Sequence, residues 1–280
     1  RRVIARVENG LSSGAAVWNF DESLIAVPQT QAVVLVDAKT GAEIRRWACK
    51  TPTYPLGAAF SPDGSLLAIG LNDLFGIEVY DLRSGETVFA MVSDGWVYSP
   101  AFSPDGHTLA WSNATSVQCV NTETWQLSNS VATARLNKYE PSSLYYSPTG
   151  RLLAVACGLV VQVFDVETWA VRSTLRGHAQ RVHSISFDST GERIITTSID
   201  RTVRVWNAFS GELITTLLGH ESPTVAARLL PALEAGEPRA ISADGSSRVR
   251  TWNLGANGPV LTSSADDKST FITQISFAAD

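Results

Sequence analysis

Cysteine, positive charge and long apolar runs are all scarce in this chain, and each shortage closes off a class of function. Three cysteines, Cys49, Cys119 and Cys157, are an odd number at wide spacing. They offer neither a disulfide framework nor a metal knuckle, and they point to a reducing, cytoplasmic setting. Lys plus Arg total 22 against 27 Asp plus Glu, a net charge of −5. With no basic surplus to neutralise a phosphate backbone, nucleic acid is not an expected partner. The longest apolar runs, Leu152–Cys157 and Leu159–Val161, are split by Gly158. They fall far short of the ~20 residues of a membrane helix, so no membrane span is expected. Four histidines, His107, His178, His183 and His220, include no His-x-x-x-His pair and have no Cys-x-x-Cys partner. No Gly-rich loop ends in Gly-Lys-Ser/Thr either, so neither a metal nor another cofactor is expected. Val3–Val7 runs straight into Glu8-Asn9-Gly10 without the apolar region of a secretory signal, and the opening Arg1-Arg2 reads as a cut or processed end.

What remains is a chain of ordinary globular composition, 280 residues long, 44% hydrophobic and 18% charged, with a strong internal repeat. Ala59-Phe60-Ser61-Pro62-Asp63-Gly64 returns as Ala101-Phe102-Ser103-Pro104-Asp105-Gly106, as Tyr145-Tyr146-Ser147-Pro148-Thr149-Gly150 and as Ser186-Phe187-Asp188-Ser189-Thr190-Gly191. The aromatic positions step by 42, 44 and 41 residues. Trp18 fits one period upstream and Phe277 two periods downstream, with a further copy beginning near Val225–Leu230. A second landmark closes each unit: Val36-Asp37, Tyr80-Asp81, Val120-Asn121, Phe164-Asp165, Trp206-Asn207 and Trp252-Asn253.

Segments such as Val161-Gln162-Val163-Phe164 and Val203-Arg204-Val205-Trp206 alternate with period two, and Gly and Pro punctuate the stretches between them. Each unit therefore reads as four short strands, a to d; in the fifth these are Val182–Phe187, Arg193–Ser198, Thr202–Trp206 and Leu213–Leu217. No sustained 3.6-residue period appears, and the class is all-β. A four-stranded sheet of about 40 residues cannot bury both faces alone, so copies must stack, and four strands per repeat is the propeller solution.

Gly177-His178, Val182, Ser184-Ile185-Ser186-Phe187, Ser198-Ile199-Asp200 and Thr202-Val203-Arg204-Val205-Trp206-Asn207 resemble a Trp-Asp repeat of the WD-repeat β-propellers. The resemblance is fullest in unit five. It is partial in unit six, with Gly219-His220 and Trp252-Asn253, and covers nearly the whole chain by strand rhythm. It implies a propeller of four-stranded antiparallel blades, six complete blades plus split strands of a seventh, in a single domain over residues 1–280. Val3–Val7 would be a lone strand d and Phe271–Phe277 a lone strand a, so the chain is expected to be a segment of a longer protein with additional domains. The resemblance also gives His178, Ser198, Asp200 and Trp206 a structural role, as a buried hydrogen-bonded tetrad. His220, Ser242, Asp244 and Trp252 form a second candidate set. There Asp244 to Trp252 spans eight residues against six from Asp200 to Trp206, which implies a longer b–c turn and an Asp244 out of register.

Other motifs carry less. Gly10-Leu11-Ser12-Ser13-Gly14 has the letters of a nucleophile elbow but sits between two strands, with no helix behind the serine. Asn113-Ala114-Thr115 is a glycosylation sequon, meaningful only in a secreted chain. Tyr54, Trp96 and Arg181 lie six residues before successive strand-a aromatics, and Tyr139 is beside the equivalent Glu140. By resemblance this is the entrance to the inner strand, on the face from which such propellers take partners, and Tyr, Trp and Arg are the residues that anchor interfaces. Trp125 and Trp169 replace the Gly of the c–d turns in units three and four, and are expected to fold back over their own blades.

These features together describe a non-enzymatic protein-interaction scaffold that recognises a protein or peptide on one face, with Tyr54, Trp96, Tyr139 and Arg181 as partner-binding residues. A propeller hydrolase or lactonase would need ionisable residues converging on a central channel, and the loops offer only Asp73, Glu140 and Asp244. A ligand-sensing domain of a larger regulatory protein would leave the same trace in the sequence as the scaffold.

Overall fold

The computed structural model describes residues 16–29, 31–49, 55–72, 76–92, 95–97, 99–113, 115–133, 143–230, 238–255 and 258–266. The chain divides into two compact units, Arg1–Ser142 and Ser143–Asp280. The first holds β1 (Val17–Trp18), β2 (Leu24–Gln29), β3 (Ala32–Asp37) and β4 (Glu43–Ala48), then β5 (Pro55–Phe60), β6 (Leu66–Leu71), β7 (Ile77–Asp81) and β8 (Thr87–Met91), then β9 (Ala101–Phe102), β10 (Thr108–Ser112), β11 (Ser116–Asn121) and β12 (Leu127–Ala132). The second holds β13 (Leu144–Tyr146), β14 (Leu152–Cys157), β15 (Val160–Asp165) and β16 (Val171–Arg176), then β17 (Val182–Phe187), β18 (Arg193–Ser198), β19 (Val203–Asn207) and β20 (Leu213–Leu217), then β21 (Thr224–Leu230), β22 (Arg239–Asp244), β23 (Arg248–Asn253) and β24 (Val260–Asp266). Consecutive sets of four make six antiparallel sheets in the order a-b-c-d, the blades of an all-β propeller fold. The lone strands expected at Val3–Val7 and Phe271–Phe277 lie outside the described residues.

The repeated turns have a common chemistry. Ser61 Oγ donates to Asp63 and accepts from Leu66 N at 2.9 Å, and Ser103 does the same with Asp105 and Thr108 N. The glycine of each Ser-Pro-Asp-Gly turn donates its N–H back to the serine carbonyl and then turns left-handed, a conformation glycine adopts without strain; φ is 71° at Gly64 and 77° at Gly106. The acid or amide ending each strand c works similarly. Asp165 Oδ1 accepts from Thr168 N at 3.0 Å, and Asn207 Oδ1 from Phe209 N and Ser210 N at 2.9 Å, folding the c–d turn.

Blades pack face to face within each unit. Ile194 and Trp206 in blade five meet Leu152, Val163 and Leu175 of blade four. Ile195 and Val205, on the opposite face of blade five, meet Ala227, Ala240 and Trp252 of blade six. A strand b buried on both faces has no polar side to show, which accounts for the continuous apolar run Leu152–Cys157. The fourth strand of every sheet is mostly exposed and carries one extra residue against strand c, at Ile44, Val88, Ser128, Arg172, Ile214 and Thr262.

Candidate functional site

In blade five, His178 Nδ1 lies 2.9 Å from Asp200 Oδ2, and His178 Nε2 lies 2.7 Å from the hydroxyl of Thr196. Trp206 Nε1 donates to that same hydroxyl at 2.9 Å. Burial pushes the His178 pKa below its ordinary value, outweighing the opposing pull of Asp200. Burial also works against the Asp200 carboxylate. Bonds from Thr202, His178 and the Ala179 N–H overcome it, and the Asp200 pKa falls to about 2. A neutral imidazole beside a carboxylate fixes the tautomer: Nδ1–H donates to Asp200, Nε2 accepts from Thr196, and Thr196 accepts from the indole. Every polar atom of the relay is thereby satisfied in a site where the His178 and Asp200 side chains are 2% and 6% exposed.

Ser198 stands outside this relay, a correction to the sequence expectation. Trp206 pairs across the ladder with Ile194, so the strand-b residue within diagonal reach of the indole is Thr196, and Ser198 is four residues along. Ser198 Oγ donates instead to Gln180 O at 3.0 Å, while its backbone N–H and carbonyl both bond the Thr224 hydroxyl of blade six at 2.9 Å.

Blade six builds the second relay: His220 Nδ1 to Asp244 Oδ2, His220 Nε2 to Ser242 Oγ and Trp252 Nε1 to Ser242 Oγ, each at 2.8 Å. The expected longer turn is absent. Thr197 pairs with Val203 and Ala243 with Val249, so the two b–c turns have the same length, and Arg201 and Ser247 are left-handed at the same place, with φ of 69° and 64°. Asp244 occupies the place of Ser198 and Ser246 that of Asp200, yet the carboxylate still reaches the imidazole. Ser246 N, Ser246 Oγ and Arg248 N hold its other oxygen.

An arginine two residues before each strand-c Trp completes the arrangement. The Arg204 guanidinium lies 5.9 Å from the Trp206 ring centroid. A Cβ at Gly177 would come 2.5 Å from Arg204 Nη1, and one at Gly219 2.3 Å from Arg250 Nη1. The glycine before each histidine makes room for a cation as well as for its own φ of 146° or 129°. Blade two replaces the relay by a shorter link, in which Tyr80, at the Trp position, donates its hydroxyl to Glu78.

These polar sets hold strands together and have no nucleophile to offer. Thr196 and Ser242 are fully buried, and their hydroxyls are taken up by imidazole and indole. Of the acids a channel enzyme would use, Asp73 and Glu140 lie outside the described residues, as does the Gly10–Gly14 loop, and Asp244 is committed to its relay. Among the described residues no three His, Cys, Asp or Glu side chains group as metal ligands. Asn113 of the sequon is buried, and its Oδ1 accepts from Thr115 N and Ser116 N.

Of the four interface candidates, Tyr54 and Tyr139 lie outside the described residues, while Trp96 and Arg181 are both half-buried. Arg181 directly precedes β17 and makes no ion pair among the described residues, although its backbone carbonyl accepts from Ile199 N. Trp125 and Trp169 both adopt the left-handed conformation, at φ 57° and 56°. Trp125 does not fold over its own blade: it stacks on Phe89 of the preceding blade, with centroids 4.9 Å apart and planes 15° apart. Within each unit the c–d turn of one blade overlies strand d of the blade before it, so an aromatic there meets the neighbour.

The family model "WD domain, G-beta repeat" matches residues 169–207, which run from the c–d turn of blade four to the end of strand c in blade five. The sequence repeat thus straddles two blades. Over 52 residues the chain is 36% identical to the Notchless protein homolog of Arabidopsis thaliana, which is 19% of this chain and 11% of that protein. Over 59 residues it is 41% identical to an uncharacterized WD repeat-containing protein of Synechocystis, 21% of this chain and 17% of that one. The Target of rapamycin complex subunit wat1 of Schizosaccharomyces pombe is 33% identical over 84 residues, 30% of this chain and 25% of the subunit. The matched stretches therefore span a quarter or less of each relative. Among solved structures, a chain of "Crystal Structure of Mitotic Checkpoint Complex" superposes with a TM-score of 0.78 at 18% identity, covering 95% of this chain and 81% of that one. With six four-stranded blades, the His-Ser/Thr-Trp relays of blades five and six and a repeat match centred on the first of these, the chain has a β-propeller fold and carries a WD repeat over residues 169–207.

Proposed function

We propose that this protein is a recognition scaffold without catalytic activity, binding a protein or peptide partner at the entrances to its first strands. The observation that carries this reading is Arg181: a half-buried arginine with no ion pair among the described residues, next to the first residue of a rigid inner strand. A preorganised cation of this kind loses little freedom when it meets an acceptor. Trp96, at the corresponding place in blade three, adds the aromatic type enriched at interface centres. Tyr54 and Tyr139 belong to the same set by the sequence repeat. The similarity to a complex subunit, wat1, and to a chain of the mitotic checkpoint complex supports protein partners as a class. The reading includes a cytoplasmic location and further domains in the same protein, as the sequence pattern suggests.

The test is the affinity of a captured partner for single variants. Trp96→Ala or Arg181→Ala should weaken binding by about 2 kcal/mol or more with little change in folding. Thr216→Ala, on strand d, should leave affinity unchanged. If Tyr54→Ala, Trp96→Ala, Tyr139→Ala and Arg181→Ala all bind like wild type, the strand entrances are not the recognition surface.

A further inference from the structure

The junction between blades five and six is open where its counterparts are filled. In the first junction Trp47 donates to Gly85 O at 3.0 Å, and the Arg45 guanidinium lies against that glycine. In the second, Phe89 stacks on Trp125. In the junction of blades four and five, Arg172 lies over the Phe209 ring at 5.8 Å and Ser173 Oγ donates to Ala208 O at 2.6 Å. The residue equivalent by register to Arg45, Phe89 and Ser173 is Thr215, which lines a recess there. A recess of about 290 Å³ remains between Ile214, Leu254 and Pro259. A second recess, of about 200 Å³, lies on the other side of Arg193 against Leu229 and Asp188. Arg193 and Pro238 line both, so the two form one groove that runs past the guanidinium.

Alternation along β18 sends Arg193 to the same face as Ile195, which packs on blade six, so the cation points into the groove. It makes no ion pair or side-chain hydrogen bond among the described residues. Asp188 lines the second recess with it, and its Oδ1 is engaged by Thr190 Oγ1, Glu192 N and Arg193 N of its own turn. A guanidinium with no partner among the described residues, beside the apolar wall of Ile214, Leu254 and Pro259, is complementary to a carboxylate with an apolar neighbour. Because the groove continues on both sides of Arg193, the carboxylate it suits belongs to a chain passing through, not to a chain end.

We propose that this groove is a second recognition site, taking an extended peptide that sets a Glu or Asp side chain on Arg193 and an adjacent bulky apolar side chain against Ile214, Leu254 and Pro259. It is distinct from the strand entrances that hold Trp96 and Arg181. The test selects displayed random peptides on the full chain and titrates the recovered pool against wild type, Arg193→Gln, Thr215→Phe and Arg181→Ala, with folding checked by circular dichroism. The expected pool is rich in an acid beside an apolar residue. Its binding should fall by about tenfold or more in Arg193→Gln and in Thr215→Phe, which plugs the recess as Phe89 plugs its own, and stay unchanged in Arg181→Ala. Thr215→Phe is needed only to locate the binder, since Arg193→Gln alone decides. Failure to enrich any pool over bare support, a pool without acids, or equal binding to wild type and Arg193→Gln would overturn the proposal. A pool weakened only by Arg181→Ala would overturn it too, while favouring the strand entrances.

Discussion

Thr196→Val separates the relay in the structure from the one the sequence suggests. The substitution keeps the side-chain shape and deletes a hydroxyl that accepts from Trp206 Nε1 at 2.9 Å and lies 2.7 Å from His178 Nε2. Both partners are then stranded, with Thr196, Trp206 and His178 only 0%, 1% and 6% exposed. A buried donor or acceptor left unsatisfied costs ~1–3 kcal/mol, so two of them should cost about 3 kcal/mol together. Ser198→Ala also removes a buried hydroxyl, but that hydroxyl donates to the carbonyl of exposed Gln180 and accepts from Asp200 N at the half-buried b–c turn, partners that water can serve, so the expected cost is about 1 kcal/mol or less. Urea unfolding at neutral pH, followed by circular dichroism with a shared m-value, resolves a difference of about 2 kcal/mol. In a Trp206→Phe background the indole donor is gone, and the Thr196→Val penalty should shrink by about 1 kcal/mol or more. Equal costs for the two variants, or a larger cost for Ser198→Ala, would refute the assignment of Thr196 as the bridge.

Three further outcomes follow from the same geometry. His178 and His220 are held neutral, with pKa values pushed below 6.5 mainly by burial, so the unfolded chain takes up protons first; stability should be full above pH 6.5 and decline as pH falls below it, with Asp200 adding a loss only below its ordinary 3.8, and a flat stability profile between pH 7 and 5 would contradict this. Gly177→Ala must seat a Cβ 2.5 Å from Arg204 Nη1 at φ 146°, and should cost about 1–3 kcal/mol in thermal or urea unfolding. Gly245→Ala, whose nearest neighbour would be 3.7 Å away, should cost far less. Burial pushes the Cys157 thiol up to about 12, and burial with the Glu78 charge pushes Cys49 to about 11, so neither should react with Ellman's reagent at pH 8 until urea is added; a fast native thiol titration would refute the burial of both.

Most of the fold could be read from the chain because its signals are local and repeated. The Ser-Pro-Asp-Gly turn is written out in full at Gly64 and Gly106, where the backbone needs a left-handed glycine, and the Asp or Asn at the end of strand c marks its own side-chain turn. The errors came where geometry crosses strands. Choosing between Thr196 and Ser198 requires the ladder register, which puts Ile194 opposite Trp206. The place of Asp244 depends on turn length measured between paired residues, and spacing to the tryptophan misleads because the carboxylate has moved two positions within an unchanged turn. Trp125 depends on which blade lies beneath a turn, a tertiary relation that no local pattern encodes. The arginine of each relay was in view, two residues before Trp206 and Trp252, but its reason lies in the glycine it approaches.

The extra residue in each fourth strand also bears on how the exposed edges of these sheets resist pairing with another chain. An exposed, regular edge is a template on which another chain can build, and an apolar one is the more hazardous. Ile44, Val88 and Ile214 are apolar and 51%, 40% and 50% exposed, and each is itself the inserted residue. An incoming strand would meet a break in hydrogen-bond spacing at the very side chain that would attract it. The stickiest positions of these edges are therefore the ones where a neighbour cannot zip on, and at Ile44 the flanking Glu43, Arg45 and Arg46 add charge to the same defence.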